Sequence, residues 1–490
     1  MLAADLRLRA PPADREAGKE GGPCTVGHTL VTEPPAVRGG PSTITEQEEG
    51  SVVLTGQAGT VVPGHGADRA VARETVLVLD GGTGGAGADE GYTVRAAQCP
   101  REPRPRLSKF HAPEIVFGPD SLPETAHAAL RLGARRPFVV TDPGVTEAGW
   151  PAELLRHLRA AGLRPQLWNE ITPNPKDHEI QAGFERYERS GCDVVIGIGG
   201  GSVIDAAKGV ALLAANGGTI LDYEGIDRIA NPIPPLVMVP STSGTGADVS
   251  QFCIITDTER LTKITIMGRA LVPDVSVIDP RLLVTMPDWL NAATGLDALT
   301  HGIEAFVSLA HGPLTDTHAL HAVALVHANL PTTMIRRHDD GPRTAMAQAA
   351  LEAGLAFTNA ILGATHAMSH QVGGMLDLPH GLINGVLLPH VIRFNGSASD
   401  ADAARFVPIA QAMGLPARPG MPGDEAVDMV ATEVRKLADE VGVPTGLAAI
   451  GVRETDLPRL SRLTLGDACL TTNPRTASVE QIEDLFREAL

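Results

Sequence analysis

The stretch that most restricts the fold is Asp193-Val194-Val195-Ile196-Gly197-Ile198-Gly199-Gly200-Gly201-Ser202-Val203-Ile204-Asp205, an apolar run that ends in a triple glycine and opens a helix. A strand apolar at nearly every position must be covered on both faces, and a strand that hands over at once to a helix belongs to a parallel sheet with crossover helices. The same alternation extends from Glu114 to Asp279. Residues 136–142, 165–171, 193–198 and 236–240 read as strands, 151–161 and 178–189 as helices, and 252–269 as a hairpin, with 275–279 leading out. Beyond Pro287 the strand signals vanish, and apolar residues recur at helical spacing through 297–309, 315–330, 343–362 and 424–442. The expected fold is therefore α/β. An N-terminal nucleotide-binding domain with a parallel, Rossmann-like sheet (110–283) is followed by an all-helical domain (284–490).

Residues 1–109 differ in kind. They are rich in Pro, Gly, Arg and Glu, with clusters such as Gly81-Gly82-Thr83-Gly84-Gly85, and bury too little apolar surface to offset the entropy of ordering. This low-complexity arm is expected to be mostly disordered, with short strands at 51–54 and 74–79; it is either an appended segment or an over-long gene start. A net charge of −18 with no visible basic face argues against nucleic acid and anionic membranes as partners. No run approaches the roughly 18 apolar residues of a membrane helix, and residues 1–10 lack a signal-peptide core, so a cytoplasmic protein is expected. Five cysteines without paired spacing, at positions 24, 99, 192, 253 and 469, read as free thiols.

A second pattern lies in the helical half. Asp297 and His301 are four apart, as are His366 and His370, and His380 follows Pro379, which would end a helix at a loop. On a helix over 287–309 the Asp297 and His301 side chains leave one face a turn apart. One carboxylate and three imidazoles suit a divalent ion such as Fe(II) or Zn(II) and leave a position for substrate or water. Taken singly, each pair has a plainer reading, since Asp and His at this spacing also form surface ion pairs and a His-x-x-x-His lacks the glutamate of the metalloprotease motif. His311, His318, His321 and His327 have no companion carboxylates at ligand spacing and are expected to be solvated or packed.

The glycine turn has its own chemistry. Glycines remove the Cβ atoms that would hold a pyrophosphate away from backbone N–H groups, and the helix that follows favours negative charge at its start. Ser202 stands where the third glycine of G-x-G-x-x-G would be, so the Rossmann fingerprint does not apply. Pro240-Ser241-Thr242-Ser243-Gly244-Thr245-Gly246 follows another strand and offers hydroxyls. Asp142, at a strand end before Pro-Gly, is either a turn former or an acceptor for ribose hydroxyls that repels a 2′-phosphate.

On these residues the segment from about Glu114 to the C-terminus, three quarters of the chain, resembles the iron-containing (group III) alcohol dehydrogenases. The order and spacing of Asp297, His301, His366 and His380 match that family's metal ligands, and His370 matches its conserved second histidine. Gly199-Gly200-Gly201-Ser202 with Asp205 and Lys208 matches its Gly-Gly-Gly-Ser-x-x-Asp-x-x-Lys loop, which cradles the diphosphate of a nicotinamide dinucleotide. The resemblance implies that Ser241, Thr242 and Thr245 flank the cofactor and that Asp142 selects NAD, with NADP the alternative. It also places Phe252, Ile254, Phe357 and Cys469 around a small, fairly apolar pocket without a cationic clamp. The implied activity is hydride transfer between nicotinamide and a small primary alcohol or aldehyde, assisted by Fe(II), or Zn(II) in its place. His370 would relay the hydroxyl proton or orient a ligand, and the protein would be a homodimer or higher homo-oligomer without nucleic-acid or membrane partners. The rival readings are a dehydroquinate-synthase-like lyase using NAD and a metal, a metal-independent maleylacetate-type reductase, and a non-catalytic binding protein. The first should carry several Lys and Arg for a phosphorylated substrate, and the second does not require the full Asp and His set.

Overall fold

The computed structural model describes residues 109–490 and four strands nearer the N-terminus, and the chain divides into two compact units, Met1–Arg106 and Leu107–Leu490. In the first unit β1 (Thr43–Gln47), β2 (Ser51–Gly56), β3 (Thr75–Asp80) and β4 (Thr93–Ala97) pair antiparallel in chain order. β2 and β3 stand where short strands were expected, and their Val, Leu and Thr content suits a pleated surface. Over these four strands a hydrogen-bonded sheet replaces the expected disorder; the rest of that expectation falls outside the described residues.

The second unit begins with the α/β lobe. Its strands are β5 (Glu114–Phe117), β6 (Pro137–Val140), β7 (Gln166–Trp168), β8 (Val194–Gly199), β9 (Gly225–Ile226), β10 (Leu236–Pro240), β11 (Phe252–Asp257), β12 (Thr262–Met267) and β13 (Val275–Ile278). Six of them form one parallel sheet in the order β5-β13-β10-β8-β6-β7, and β11, β12 and β9 form a small second sheet containing the expected hairpin. The crossover helices are α1 (Glu124–Arg131), α2 (Pro143–Glu147), α3 (Trp150–Ala160), α4 (Asp177–Ser190) and α5 (Gly201–Asn216). Side-chain alternation divides the apolar strands between two cores. Val139, Ile196, Ile198, Val237 and Val239 face α1 and α3, while Phe138, Val140, Val195 and Met238 face α4 and α5. The chain leaves β6 toward β7 on one side and returns through β8, β10 and β13 on the other, so the strand order reverses between β6 and β8 and opens a crevice there.

The helical lobe comprises α6 (Asp288–Val307), α7 (Pro313–Ile335), α8 (Asp340–Ala360), α9 (Ala364–Leu376), α10 (His380–Gly396), α11 (Asp400–Ala404), α12 (Phe406–Ala412), α13 (Gly423–Glu440), α14 (Leu457–Thr464) and α15 (Val479–Glu488). Among the described residues no single helix is long and apolar enough to cross a membrane. Cys192, Cys253 and Cys469 are free thiols; Cys24 and Cys99 lie outside the described residues. The four other histidines do find carboxylates, in space rather than at ligand spacing: His311 meets Asp316, His318 and His321 share Glu352, and His327 meets Glu433.

Candidate active site

From Asn291 to Val307 every residue of α6 is buried, so its polar side chains must find partners inside the protein. Asp297 and His301 lie one turn apart on it, as the spacing predicts. His366 comes from the first turn of α9, and His380 is the first residue of α10, after Pro379. His301 Nε2 and His366 Nε2 lie 3.8 and 3.5 Å from Asp297 Oδ1, and His380 Nε2 lies 3.1 Å from Asp297 Oδ2. Donor atoms around one ion at about 2.1 Å stand roughly 3.0 to 3.4 Å apart; Asp297, His301 and His366 place their ligand atoms within 4.8 Å of one another, and His380 stands beside the second carboxylate oxygen.

Two of the imidazoles are held from behind. His301 Nδ1 is 3.2 Å from the Gly244 carbonyl and His366 Nδ1 is 2.7 Å from Glu304 Oε2. Both partners only accept, so each Nδ1 carries a proton and Nε2 is the ring atom that faces Asp297. Glu304 is itself clamped by the Thr365 and Gly363 N–H groups, at 2.6 and 3.1 Å. The Gly244 contact depends on glycine, since a Cβ there would lie 2.1 Å from the Thr294 carbonyl of α6. The Ser/Thr loop of the first lobe thereby touches the helix that carries the ligands.

Burial alone would raise the Asp297 carboxyl, but the imidazoles of His380, His301 and His366 outweigh it and hold the group well below the carboxylate range. Burial pushes His301 down to about 3 and also lowers His380. Only His366 moves the other way; burial opposes its charge, yet contact with Asp297 and Glu304 raises it to about 9. Two carboxylates pressing a proton onto a buried imidazole make a site that calls for positive charge, which a divalent ion supplies. Asn384, not anticipated from the sequence, completes the centre. It lies one turn beyond His380 on α10, with Nδ2 2.8 Å from Asp297 Oδ1 and 3.1 Å from His366 Nε2, while its Oδ1 is buried without a partner. Its i, i+4 spacing from His380 was the available signal.

The opposite wall comes from strand ends brought level by register, with Val140 paired to Gly197 and Gly199 to Pro240. Asp142 therefore stands beside the glycine turn and the Ser/Thr loop. It caps α2 by accepting from Val145 N at 2.8 Å, and burial raises its carboxyl despite that hydrogen bond. Gly200 caps α5 without a side chain, which leaves the first N–H groups of that helix free for an anion. Thr242 Oγ1, on the face turned to the glycine turn, is buried without a partner, as a hydroxyl awaiting a polar ligand would be.

Between the walls lies a cleft of about 670 Å³. Asp142, Gly200, Gly201, Ser202, Asp205, Ser241, Thr242 and Thr245 line one side, and Phe252, Ile254, Phe357, Cys469, His370 and the four candidate ligands line the other. Phe357 stacks on His301 at a centroid distance of 4.4 Å and meets Phe252 at 5.7 Å. His370 touches no candidate ligand through a hydrogen bond; its Nδ1 is 2.9 Å from Asp467 Oδ2. Asp205 is pushed up to about 7 by burial, which outweighs the nearby Lys208.

Two expected cofactor residues are elsewhere. Gly199 is the last residue of β8, packed so closely that a Cβ would lie 2.5 Å from the Val203 side chain, and it does not reach the cleft. Lys208 is fully buried behind it, with Nζ on the Ser250 and Phe252 carbonyls at 2.7 and 2.8 Å, so it braces the start of β11 instead of binding a ligand. The cleft holds one cation that the sequence did not point to. Lys263 of β12 lines it, with Nζ 2.8 Å from Asn174 Oδ1, and burial pushes its ammonium down to about 8.

The chain is similar to known proteins in sequence and fold. A family model described as "Iron-containing alcohol dehydrogenase" matches residues 112–280, and one described as "Fe-containing alcohol dehydrogenase family, C-terminal" matches residues 291–490. The 1,3-propanediol dehydrogenase of Citrobacter freundii is 36% identical over 387 residues, which cover 78% of this chain and 99% of that protein. The NAD-dependent methanol dehydrogenase of Bacillus methanolicus is 36% identical over 381 residues, again 78% of this chain and 99% of the relative. The crystal structure of a 1,3-propanediol oxidoreductase superposes with a TM-score of 0.75 at 37% identity, covering 79% of this chain and 100% of that one.

Proposed function

The chain belongs to the iron-containing alcohol dehydrogenase family, and from that premise we propose how its own residues carry the chemistry. It is an NAD-linked, metal-dependent oxidoreductase that interconverts alcohols and aldehydes. Asp297, His301, His366 and His380 hold one ion, Fe(II) with Zn(II) as the alternative, and the observation that carries this is the convergence of three Nε2 atoms on one buried carboxylate. Gly200, Gly201 and Ser202 at the start of α5 receive the diphosphate, Ser241, Thr242 and Thr245 flank it, and Asp142 accepts from the adenosine ribose and so favours NAD over NADP. An ion held there would supply a Lewis acid for the substrate oxygen, and a nicotinamide held beside it would supply or accept the hydride.

The remaining work falls to the chain. Phe252, Ile254 and Phe357 exclude water beside the ligand set and leave room for a small primary alcohol or aldehyde. His370 takes the hydroxyl proton during oxidation and returns it during reduction. Lys263 adds a positive charge to a cleft otherwise bordered by Asp142, Asp205 and Asp297. A lyase acting on a phosphorylated substrate would need several cations, and Lys263 is the single Lys or Arg among the described lining residues. Domains at 110–283 and 284–490, cytoplasmic residence and a homo-oligomer complete the proposal. The test couples metal analysis to NADH oxidation over two- to four-carbon aldehydes. Turnover should vanish on chelation and return with Fe(II), whereas full turnover in metal-free protein would favour a maleylacetate-type reductase.

A further inference from the structure

We propose that Asp467 is a positioning residue for proton transfer, fixing His370 with its proton on Nδ1 so that Nε2 is the atom that exchanges a proton with the substrate hydroxyl. The inference rests on the reading of His370 as the proton carrier. His370 is buried at the cleft wall, its ring 6.1 Å from that of His366 and 6.5 Å from that of His380. Its Nδ1 is 2.9 Å from Asp467 Oδ2, which also accepts from Gln371 Nε2 at 3.2 Å. Asp467 Oδ1 accepts from the Cys469 N–H at 2.9 Å, where Asp467 caps the short 3-10 helix Ala468–Thr472. Both carboxylate oxygens are therefore occupied by donors from fixed elements, and the carboxylate cannot rotate away. Burial raises this acid, but His370 and the Cys469 N–H outweigh it and keep Asp467 ionised.

An ionised carboxylate accepts and does not donate, so it dictates the tautomer. Among the described residues Nε2 of His370 has no protein partner, which leaves its lone pair for a ligand in the cleft. During oxidation the substrate O–H bond breaks and its proton goes to Nε2. The hydride leaves the same carbinol carbon for NAD, which is reduced, and the imidazolium is stabilised across the Nδ1–H contact until water takes the proton. In reduction Nε2–H gives its proton to the carbonyl oxygen. His370, Asp467 and Cys469 also place one potential ligand atom each within 4.8 Å of one another, the one arrangement in this lobe that could mimic a second metal site. Burial and the neighbouring Asp467 push the Cys469 thiol well above its usual range.

Asp467→Asn is the discriminating variant. Asn can keep the cap by accepting from Cys469 N through Oδ1, and then its amide N–H₂ faces His370 Nδ1, which must give up its proton; the proton moves to Nε2, the wrong tautomer for oxidation. On the full chain loaded with metal and NAD, kcat for alcohol oxidation should fall by about 100-fold with KM changed less than about threefold. Metal content and NADH affinity should be unchanged. His370→Ala should lose a similar factor and recover with added imidazole, the double variant should be no worse than His370→Ala, and Asp467→Glu should regain part of the rate. Nitrogen-15 shifts of the imidazole should report Nδ1–H in the unmodified protein and Nε2–H in Asp467→Asn. An Asp467→Asn enzyme as fast as the parent, beside an impaired His370→Ala, overturns this proposal alone. A fully active His370→Ala overturns the reading beneath it. A second equivalent of cobalt with a thiolate absorption band that disappears in Cys469→Ala would reassign the cluster to a metal.

Discussion

On the sheet side of the cleft the ligand space meets mostly backbone and small side chains, at the ends of β6, β8 and β10 and the bare start of α5. On the helical side it meets large polar side chains projecting from α6, α9 and α10, of which His301, His366 and His370 are held from behind by partners remote in sequence. The first wall recognises by what is missing, since an added Cβ or a lost N–H spoils it. On the proposed function the second would recognise by what is present, because the proposed ligands and their orienting groups must all be in place. A flexible dinucleotide with many weak contacts suits the first, and an ion needing donors at fixed separations suits the second.

The sharpest test of this contrast is His366→Ala. Loss of an inner ligand should abolish measurable metal content and lower turnover by about a thousandfold or more, while NADH titration remains close to normal. Loss of NADH binding in parallel would mean that the two walls fold as one unit and the contrast is false. Its counterpart is Gly201→Val. A Cβ at Gly201 already comes within 2.9 Å of Thr245 Cγ2, so the larger side chain should raise KM for NAD by about tenfold with metal content intact.

Asp142→Asn probes the one charged side chain on the sheet wall that caps a helix. Asn still caps α2, so stability should hold, while removal of the charge should raise the NADPH-to-NADH ratio of kcat/KM by about tenfold. An unmoved ratio would assign cofactor choice to another residue. Phe252→Ala should alter chain-length preference by about fourfold per methylene accommodated, at about 0.8 kcal/mol each. It is a cleaner probe than Phe357, whose stacking on His301 ties it to a proposed metal ligand. The smallest effect is expected from a chain beginning at Leu107. Both walls lie in the second compact unit, so kcat should stay within about twofold of the full chain. A large loss would give the N-terminal unit a part in the site.

Much of the sheet wall was legible because its signals are local. The apolar run into Gly199-Gly200-Gly201 contains strand, turn and helix start within a dozen residues, and the structure has them at Val194–Gly199 and Gly201–Asn216. The misreading there was Lys208. Its motif position says only that it lies on α5, and which face it occupies was decided by the carbonyls of Ser250 and Phe252, more than forty residues on. The helical wall was legible in its Asp and His spacing and not in the partners of those side chains. Asp297 with His301, and His366 with His370, announce themselves through the pitch of a helix.

What the sequence by itself determined is thus whatever repeats within a turn or alternates along a strand: the parallel sheet, the glycine turn, the helical lobe and the ligand spacing. Tertiary structure alone decided the partners of the buried polar groups. Glu304 reaches His366 across 62 positions, Asp467 reaches His370 across 97, and Asn384 reaches Asp297 across 87. A buried polar atom must be paired, but any donor or acceptor that packing brings within about 3 Å will satisfy it, so no local pattern specifies which one.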